Sequence, residues 1–97
     1  MIDKQANGKS VKVTFELPAD VAENGVAVVG DFNDWSNSKH KMKLDKKRSV
    51  WTKTISLKPG QTYQFRYLVD ENNWRNDERA DRYEPSPYFS ENGVIEL

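Results

Sequence analysis

The chain has 97 residues, of which 15 are Lys or Arg and 15 are Asp or Glu, so its formal net charge at pH 7 is +0. It contains no Cys and a single His, His40, which excludes a disulfide scaffold, a thiolate nucleophile and a zinc site built on several Cys or His side chains. Balanced charge argues against a general nucleic-acid-binding protein, and no apolar run approaches the roughly 20 residues that span a membrane. The three Trp residues in so short a chain favour binding over catalysis.

These observations predict one soluble domain over residues 1–97. The first four residues do not resemble the start of a signal peptide, so we expect a cytoplasmic protein. We expect no cofactor, no metal, no nucleic-acid partner and no membrane partner.

Strand patterns begin early in the chain. Apolar and polar residues alternate over 11–17, which predicts a strand with one face in water. A continuous apolar run over 26–29, bounded by two glycines, predicts a strand covered on both faces. Met42 and Leu44 give a shorter signal, a third strand on which both side chains point inward.

The middle of the chain carries the strongest strand signals. Residues 50–57 are rich in β-forming residues, and Trp51 alternates with other apolar residues there, so we predict that it belongs to the core. The turn at 58–61 has Pro at its second position and Gly at its third, which favours type II. Residues 63–69 then show the clearest alternation of all.

The last third of the chain is more polar. Residues 77–92 contain two prolines and predict a long irregular connection, and 94–97 predict a closing strand. About seven short strands separated by turns, with no helical periodicity, predict an all-β fold, an immunoglobulin-like β-sandwich.

Two tryptophans lie outside this strand pattern. Trp35 follows a predicted strand within a loop of polar turn formers, where it either folds back to cap the edge of the sandwich or forms an exposed aromatic platform. Trp74 follows the predicted hairpin turn, and its alternative role is packing of that hairpin. Arg66 lies on the non-core face of the best strand, where its alternative role is a solvated residue paired with Asp70 or Glu71. Exposed indoles and a basic donor on one edge would suit stacking and hydrogen bonding to a sugar.

Two other signals carry less weight. The basic run over 39–48 is offset by the acidic stretch 70–84, and lysines also protect edge strands from aggregation. Carboxylates are plentiful, but most lie in turns, where Asp commonly caps the local backbone. We therefore expect no enzyme activity in this chain.

Several blocks together resemble a known family. Residues 29–35 read Val-Gly-Asp-Phe-Asn-Asp-Trp, residues 57–60 read Leu-Lys-Pro-Gly, and residues 63–70 read Tyr-Gln-Phe-Arg-Tyr-Leu-Val-Asp, with Trp74 following. In this order the blocks are similar to the glycogen-binding carbohydrate-binding module (family 48). That module occurs in the β subunit of the AMP-activated protein kinase and at the N-terminus of branching enzyme, isoamylase and pullulanase. The resemblance implies an early-set sandwich that binds α-1,4-linked glucans without catalysis.

The resemblance also implies roles for individual residues. The two sugar-stacking tryptophans of the family fall on Trp35 and Trp74, and its strand Lys falls on Arg66. Asn92 matches a C-terminal Asn of the family, and Ser90 stands where the family has Thr. The Leu that the family places beside the sugar has no clear counterpart in this sequence.

The missing Leu and the change from Lys to Arg leave an alternative open. In that alternative the sugar site is eroded and the domain serves protein contacts, as a subunit or beside a glucan-active enzyme. The chain would also fit a domain of a larger branching or debranching enzyme. The expected partners are thus an α-glucan polysaccharide or oligosaccharide and, in the alternative, a partner subunit or glucan-active enzyme.

Overall fold

A computed structural model describes residues 2–86 and 91–97 of the chain. These residues form nine strands and two short 3-10 turns, Ala19–Val21 and Asp31–Asn33. The strands are β1 (Ile2–Asn7), β2 (Ser10–Pro18), β3 (Val26–Gly30), β4 (Lys43–Asp45), β5 (Val50–Leu57), β6 (Thr62–Val69), β7 (Asn73–Arg75), β8 (Arg82–Pro85) and β9 (Glu91–Glu96). The predicted all-β class is confirmed.

The strands form two antiparallel sheets that pack as a sandwich. One sheet has the order β1-β2-β5-β4, and the other has the order β3-β6-β9-β8, with β7 also paired to β6. The sequence analysis located six of these strands and predicted about seven in all; the strands it did not locate are β1, β7 and β8, which had no clear signal in the sequence. The predicted irregular connection over 77–92 is wrong in part, since it contains β8 and the start of β9.

The core lies between the sheets and is aromatic at its centre. Alternate residues of β2 point inward, and Phe15 among them is fully buried against Phe65 and Tyr67 of β6. The ring centroids of Phe15 and Phe65 are 5.3 Å apart in an edge-to-face arrangement, which suits the quadrupoles of the rings. Trp51 is 8% exposed and belongs to this cluster, as predicted.

Two local predictions have different outcomes. Gly60 has φ +78°, the left-handed conformation that the third position of a type II turn requires, which agrees with the predicted turn. Leu44 pairs with the core residue Trp51 and so lies on the inward side of its sheet, but it is 40% exposed and is not a buried core residue. The reason is that β4 has only three residues and lies at the edge of its sheet, where a side chain is covered on one side only.

Strand β6 connects the core to the opposite surface of its sheet. It pairs with β3 along one edge, and with β9 and then β7 along the other. Because side chains alternate along a strand, the residues between Phe65, Tyr67 and Val69 point away from the core. We call this surface of the β3-β6-β9-β8 sheet the outer face.

Candidate functional site

The outer face carries a small apolar cluster of its own. Ala27, Val29 and Leu68 are at most 6% exposed and form a buried group separate from the main core, against which Trp35 packs. Leu68 lies opposite Ala27 on β3 and opposite Trp74 on β7. Residues paired across antiparallel strands share a face, so both indoles belong to the surface centred on Leu68.

Trp35 reaches this surface through an unusual loop. Asp34 and Trp35 have φ values of 55° and 58°, a left-handed conformation that costs energy for residues other than Gly. The backbone N–H of Trp35 donates to the carbonyl of Gly30 at 2.9 Å, which closes the loop. Trp35 is half-buried on the outer face, so it neither joins the main core nor projects freely from a loop.

Buried Asn33 holds the same loop from inside. Its Oδ1 accepts a hydrogen bond from the Gly30 N–H at 3.1 Å, and its Nδ2 donates to the Val28 carbonyl at 2.9 Å. The second Nδ2 hydrogen is directed to Nδ1 of His40, 2.8 Å away. Burial, and after it the charges of Lys53 and Lys39, lowers the pKa of His40 from its ordinary value.

Trp74 is the more exposed of the two outer-face tryptophans, at 39%. It lies in the centre of β7, a strand of three exposed residues that depends on β6 for its backbone pairing. The register with Leu68 directs it to the outer face. Trp74 therefore packs in the hairpin, which was its alternative role, and still exposes part of its ring to solvent.

Arg66 is not the solvated side chain considered as the alternative. It is 8% exposed, and its Nε and Nη2 both donate to the carbonyl oxygen of Glu91, at 3.2 and 2.8 Å. Asn76 Nδ2 donates to that same oxygen at 3.0 Å. Burial lowers the pKa of the Arg66 guanidinium, while the nearby Glu91 carboxylate acts in the opposite direction.

The suggested pairing of Arg66 with Asp70 is also wrong. The Asp70 carboxylate accepts hydrogen bonds from the backbone N–H groups of residues 23–25, and these bonds lower its pKa. Asp70 therefore stabilises the loop before β3 and does not pair with Arg66.

Asn92 lies beside Arg66 at the start of β9. It is 5% exposed, and its Nδ2 donates to Gln64 Oε1 at 3.0 Å. Its Oδ1 is buried and has no hydrogen-bond partner in the part of the chain that the structure describes. A buried amide oxygen without a donor costs free energy, so a donor that reached Asn92 Oδ1 would be stabilising. Ser90, the remaining candidate, lies outside the described residues.

The outer face thus brings together four of the five predicted site residues, Trp35, Arg66, Trp74 and Asn92. No pattern in the sequence predicted the apolar cluster beneath Trp35 or the role of Asn76, and the role of Asn33 was also missed. A usable signal existed for Asn33 alone, because Asn before a left-handed residue commonly hydrogen-bonds its own backbone.

Within 2–86 and 91–97, no group of three or more His, Asp or Glu side chains is arranged to hold a metal ion. No helix in those ranges has the length and apolar character needed to cross a membrane.

Comparison with known families identifies the domain. Residues 11–85 match the profile of the family described as the glycogen recognition site of AMP-activated protein kinase. The chain belongs to this family. No curated protein sequence matches the chain. The matched range includes Trp35, Arg66 and Trp74, and it ends before Ser90 and Asn92. Carbohydrate binding is the general function of such a domain, and the family is a non-catalytic one.

Proposed function

We propose that this domain binds α-1,4-linked glucans such as glycogen, starch and maltooligosaccharides, through Trp35 and Trp74 on the outer face. One observation carries the proposal. Trp74 lies opposite Leu68 in the sheet, and Trp35 packs against the cluster to which Leu68 belongs. Two partly exposed indoles around one buried residue form a platform on which the apolar faces of glucose units can stack.

Polar groups beside the platform suit recognition of hydroxyls. Arg66 donates to the carbonyl of Glu91, the residue before Asn92, and Ser90 lies two residues before Asn92 in the chain. The Arg66 guanidinium is a planar fork of N–H donors that bonds to the Glu91 carbonyl, and donors of this kind suit sugar hydroxyls. The Oδ1 of Asn92 has no donor among the described residues, and a sugar hydroxyl that reached it would supply one.

The expected affinity is modest. The site lies on a sheet surface, so a sugar would make few stacking contacts against the cost of ordering a flexible chain. The glucan is uncharged, and the formal net charge of +0 fits a ligand that needs no electrostatic steering. We propose that the whole chain acts as one such module, without catalysis of its own, in the cytoplasm.

A titration with maltoheptaose, followed by tryptophan fluorescence and by NMR shifts, tests this proposal. We expect millimolar or tighter binding that is lost in Trp35→Ala and Trp74→Ala. Leu44→Ala is the matched control, because Leu44 is 40% exposed, much like Trp74, but lies on the other sheet. Cellohexaose, which has β-1,4 linkages, should bind more weakly than maltoheptaose.

Absence of any response to millimolar maltoheptaose would refute the proposal, as would unchanged affinity in both tryptophan variants. In that case the alternative stands, in which the domain serves contacts with a partner subunit or a glucan-active enzyme. Equal affinity for cellohexaose would refute only the preference for α-1,4 linkage.

A further inference from the structure

The Asp31 carboxylate joins the loop that carries Trp35 to the central strand of the outer face. Its Oδ1 accepts a hydrogen bond from the Trp35 indole Nε1–H at 3.0 Å. Its Oδ2 accepts one from the backbone N–H of Gln64 at 2.8 Å. Gln64 in turn accepts a hydrogen bond from Asn92 through its own side chain.

The end of strand β3 explains why the Gln64 N–H needs a side-chain acceptor. Strand β3 ends at Gly30, which pairs with Phe65, so the ladder has no further backbone acceptor for Gln64. Asp31 supplies that acceptor with one oxygen and leaves the other for the indole. Hydrogen bonds to a charged acceptor are stronger than those between neutral groups.

Trp35 needs such a restraint more than an ordinary side chain. Its own backbone and that of Asp34 are left-handed, and the apolar cluster below it has only three buried members. Apolar packing alone is non-directional and does not fix the rotation of the ring. The hydrogen bond from the indole N–H to Asp31 is directional and restrains the rotation of the ring.

We propose that Asp31 is a positioning residue for sugar binding, which holds the Trp35 indole in the orientation that a glucose unit stacks on. This inference rests on the proposed function. It also implies that the indole N–H is engaged by Asp31, so that Trp35 meets the sugar through its ring and not through its nitrogen.

The test compares Asp31→Asn with Asp34→Asn, which make the same change of charge three residues apart in one loop. The Asp31→Asn amide can no longer accept from both N–H groups, so maltoheptaose binding should weaken about fivefold. Asp34→Asn should bind like the wild type, since Asn tolerates the left-handed conformation well. Trp35→Phe, which keeps a ring but lacks the N–H, should make a further Asp31→Asn change less damaging than it is in the wild type.

A second measurement reads the contact without any sugar. The chain has three Trp residues and hence three indole N–H resonances, which Trp→Phe variants assign. Asp31→Asn should shift the Trp35 resonance and speed its hydrogen exchange. The Trp51 resonance is the internal reference, because its Nε1 donates to the Ala19 carbonyl at 3.2 Å in a different region.

The outcomes separate this inference from the proposed function. If the wild type does not bind maltoheptaose, the proposed function fails, and with it the role of Asp31 in binding, whatever the indole resonance does. If the wild type binds but Asp31→Asn has the same affinity as Asp34→Asn, the positioning role is overturned while the proposed function stands. A Trp35 resonance that does not move in Asp31→Asn overturns the inference as well.

Discussion

Gly30 ends strand β3 and begins the loop that presents Trp35, and its substitution by Ala probes how closely the two central strands approach. A Cβ atom at Gly30 would lie 2.5 Å from the Gln64 carbonyl oxygen and 2.8 Å from the Phe65 Cβ. Both distances are below van der Waals contact, and one of the two atoms belongs to the backbone of β6. The clash is purely steric, because Gly30 has an extended backbone with φ −173° that Ala can adopt.

The size of the effect follows from what has to move. Overpacking that is relieved by side-chain shifts costs about 1–3 kcal/mol, and a clash against backbone belongs at the upper end. We therefore expect Gly30→Ala to lower the free energy of unfolding by about 3 kcal/mol, which for a domain of this size lowers the midpoint temperature by about 15 °C. The Asn33 Oδ1 and the Trp35 N–H both bond to Gly30, so the folded variant should also bind maltoheptaose more weakly.

Urea denaturation followed by tryptophan fluorescence measures the first effect. Gly25→Ala is the matched control, because no heavy atom lies within 4 Å of a Cβ placed there. That variant should be neutral or about 0.4–1 kcal/mol more stable, since Ala restricts the unfolded chain. If Gly30→Ala stays within about 0.5 kcal/mol of the wild type, the close approach of β3 and β6 is refuted.

Two further predictions concern buried polar contacts. Asn33 donates to Nδ1 of His40, which requires a neutral ring, and burial with two nearby lysines lowers the pKa of His40. As pH falls below the ordinary His value of 6.5, the unfolded chain takes up a proton that the folded chain resists, so the free energy of unfolding should fall between pH 7 and 5. His40→Gln should flatten this dependence in urea titrations, and an equally steep dependence in that variant would contradict the assignment. Tyr67 donates to Asp77 Oδ2 at 2.6 Å where both residues are fully buried, so Tyr67→Phe should cost about 1–3 kcal/mol by leaving a carboxylate without that donor. A double-mutant cycle with Asp77→Ala measures this contact. The stability losses of the two single variants should sum to more than the loss in the double variant, and strict additivity would argue against the hydrogen bond.

The sequence predicted those strands that carry a local apolar pattern of their own, either alternation or, for β3, a continuous apolar run. Strand β1 lacks such a pattern, because only Ile2 and Ala6 are apolar at positions that pair with the core-facing side of β2. Strands β7 and β8 have three and four residues, too few for a period to emerge, and they exist because β6 and β9 offer backbone partners. Such strands follow from pairing, which a local pattern does not contain.

For the candidate site, too, the features that depend on local sequence were predictable and those that depend on distant strands were not. The loop position of Trp35, the post-turn position of Trp74 and the outward direction of Arg66 were all readable from turns and alternation. The burial of Arg66 was not, because its acceptor is the carbonyl of Glu91, 25 residues further along the chain. The cluster of Ala27 and Leu68 beneath Trp35 likewise depends on the register between β3 and β6.

Strand β6 makes the outer face dependent on the core. Phe65 and Tyr67 are fully buried in the aromatic centre, and the residues that alternate with them, Arg66 and Leu68, belong to the candidate site. A strand cannot rotate one set of side chains without the other, so the packing of the core fixes the height and spacing of the groups outside it. This rigidity would favour the proposed sugar binding, because a site on an open surface has little binding energy available to order the protein. If the outer face binds a glucan as proposed, core variants such as Tyr67→Phe should change the sugar affinity as well as the stability of the domain.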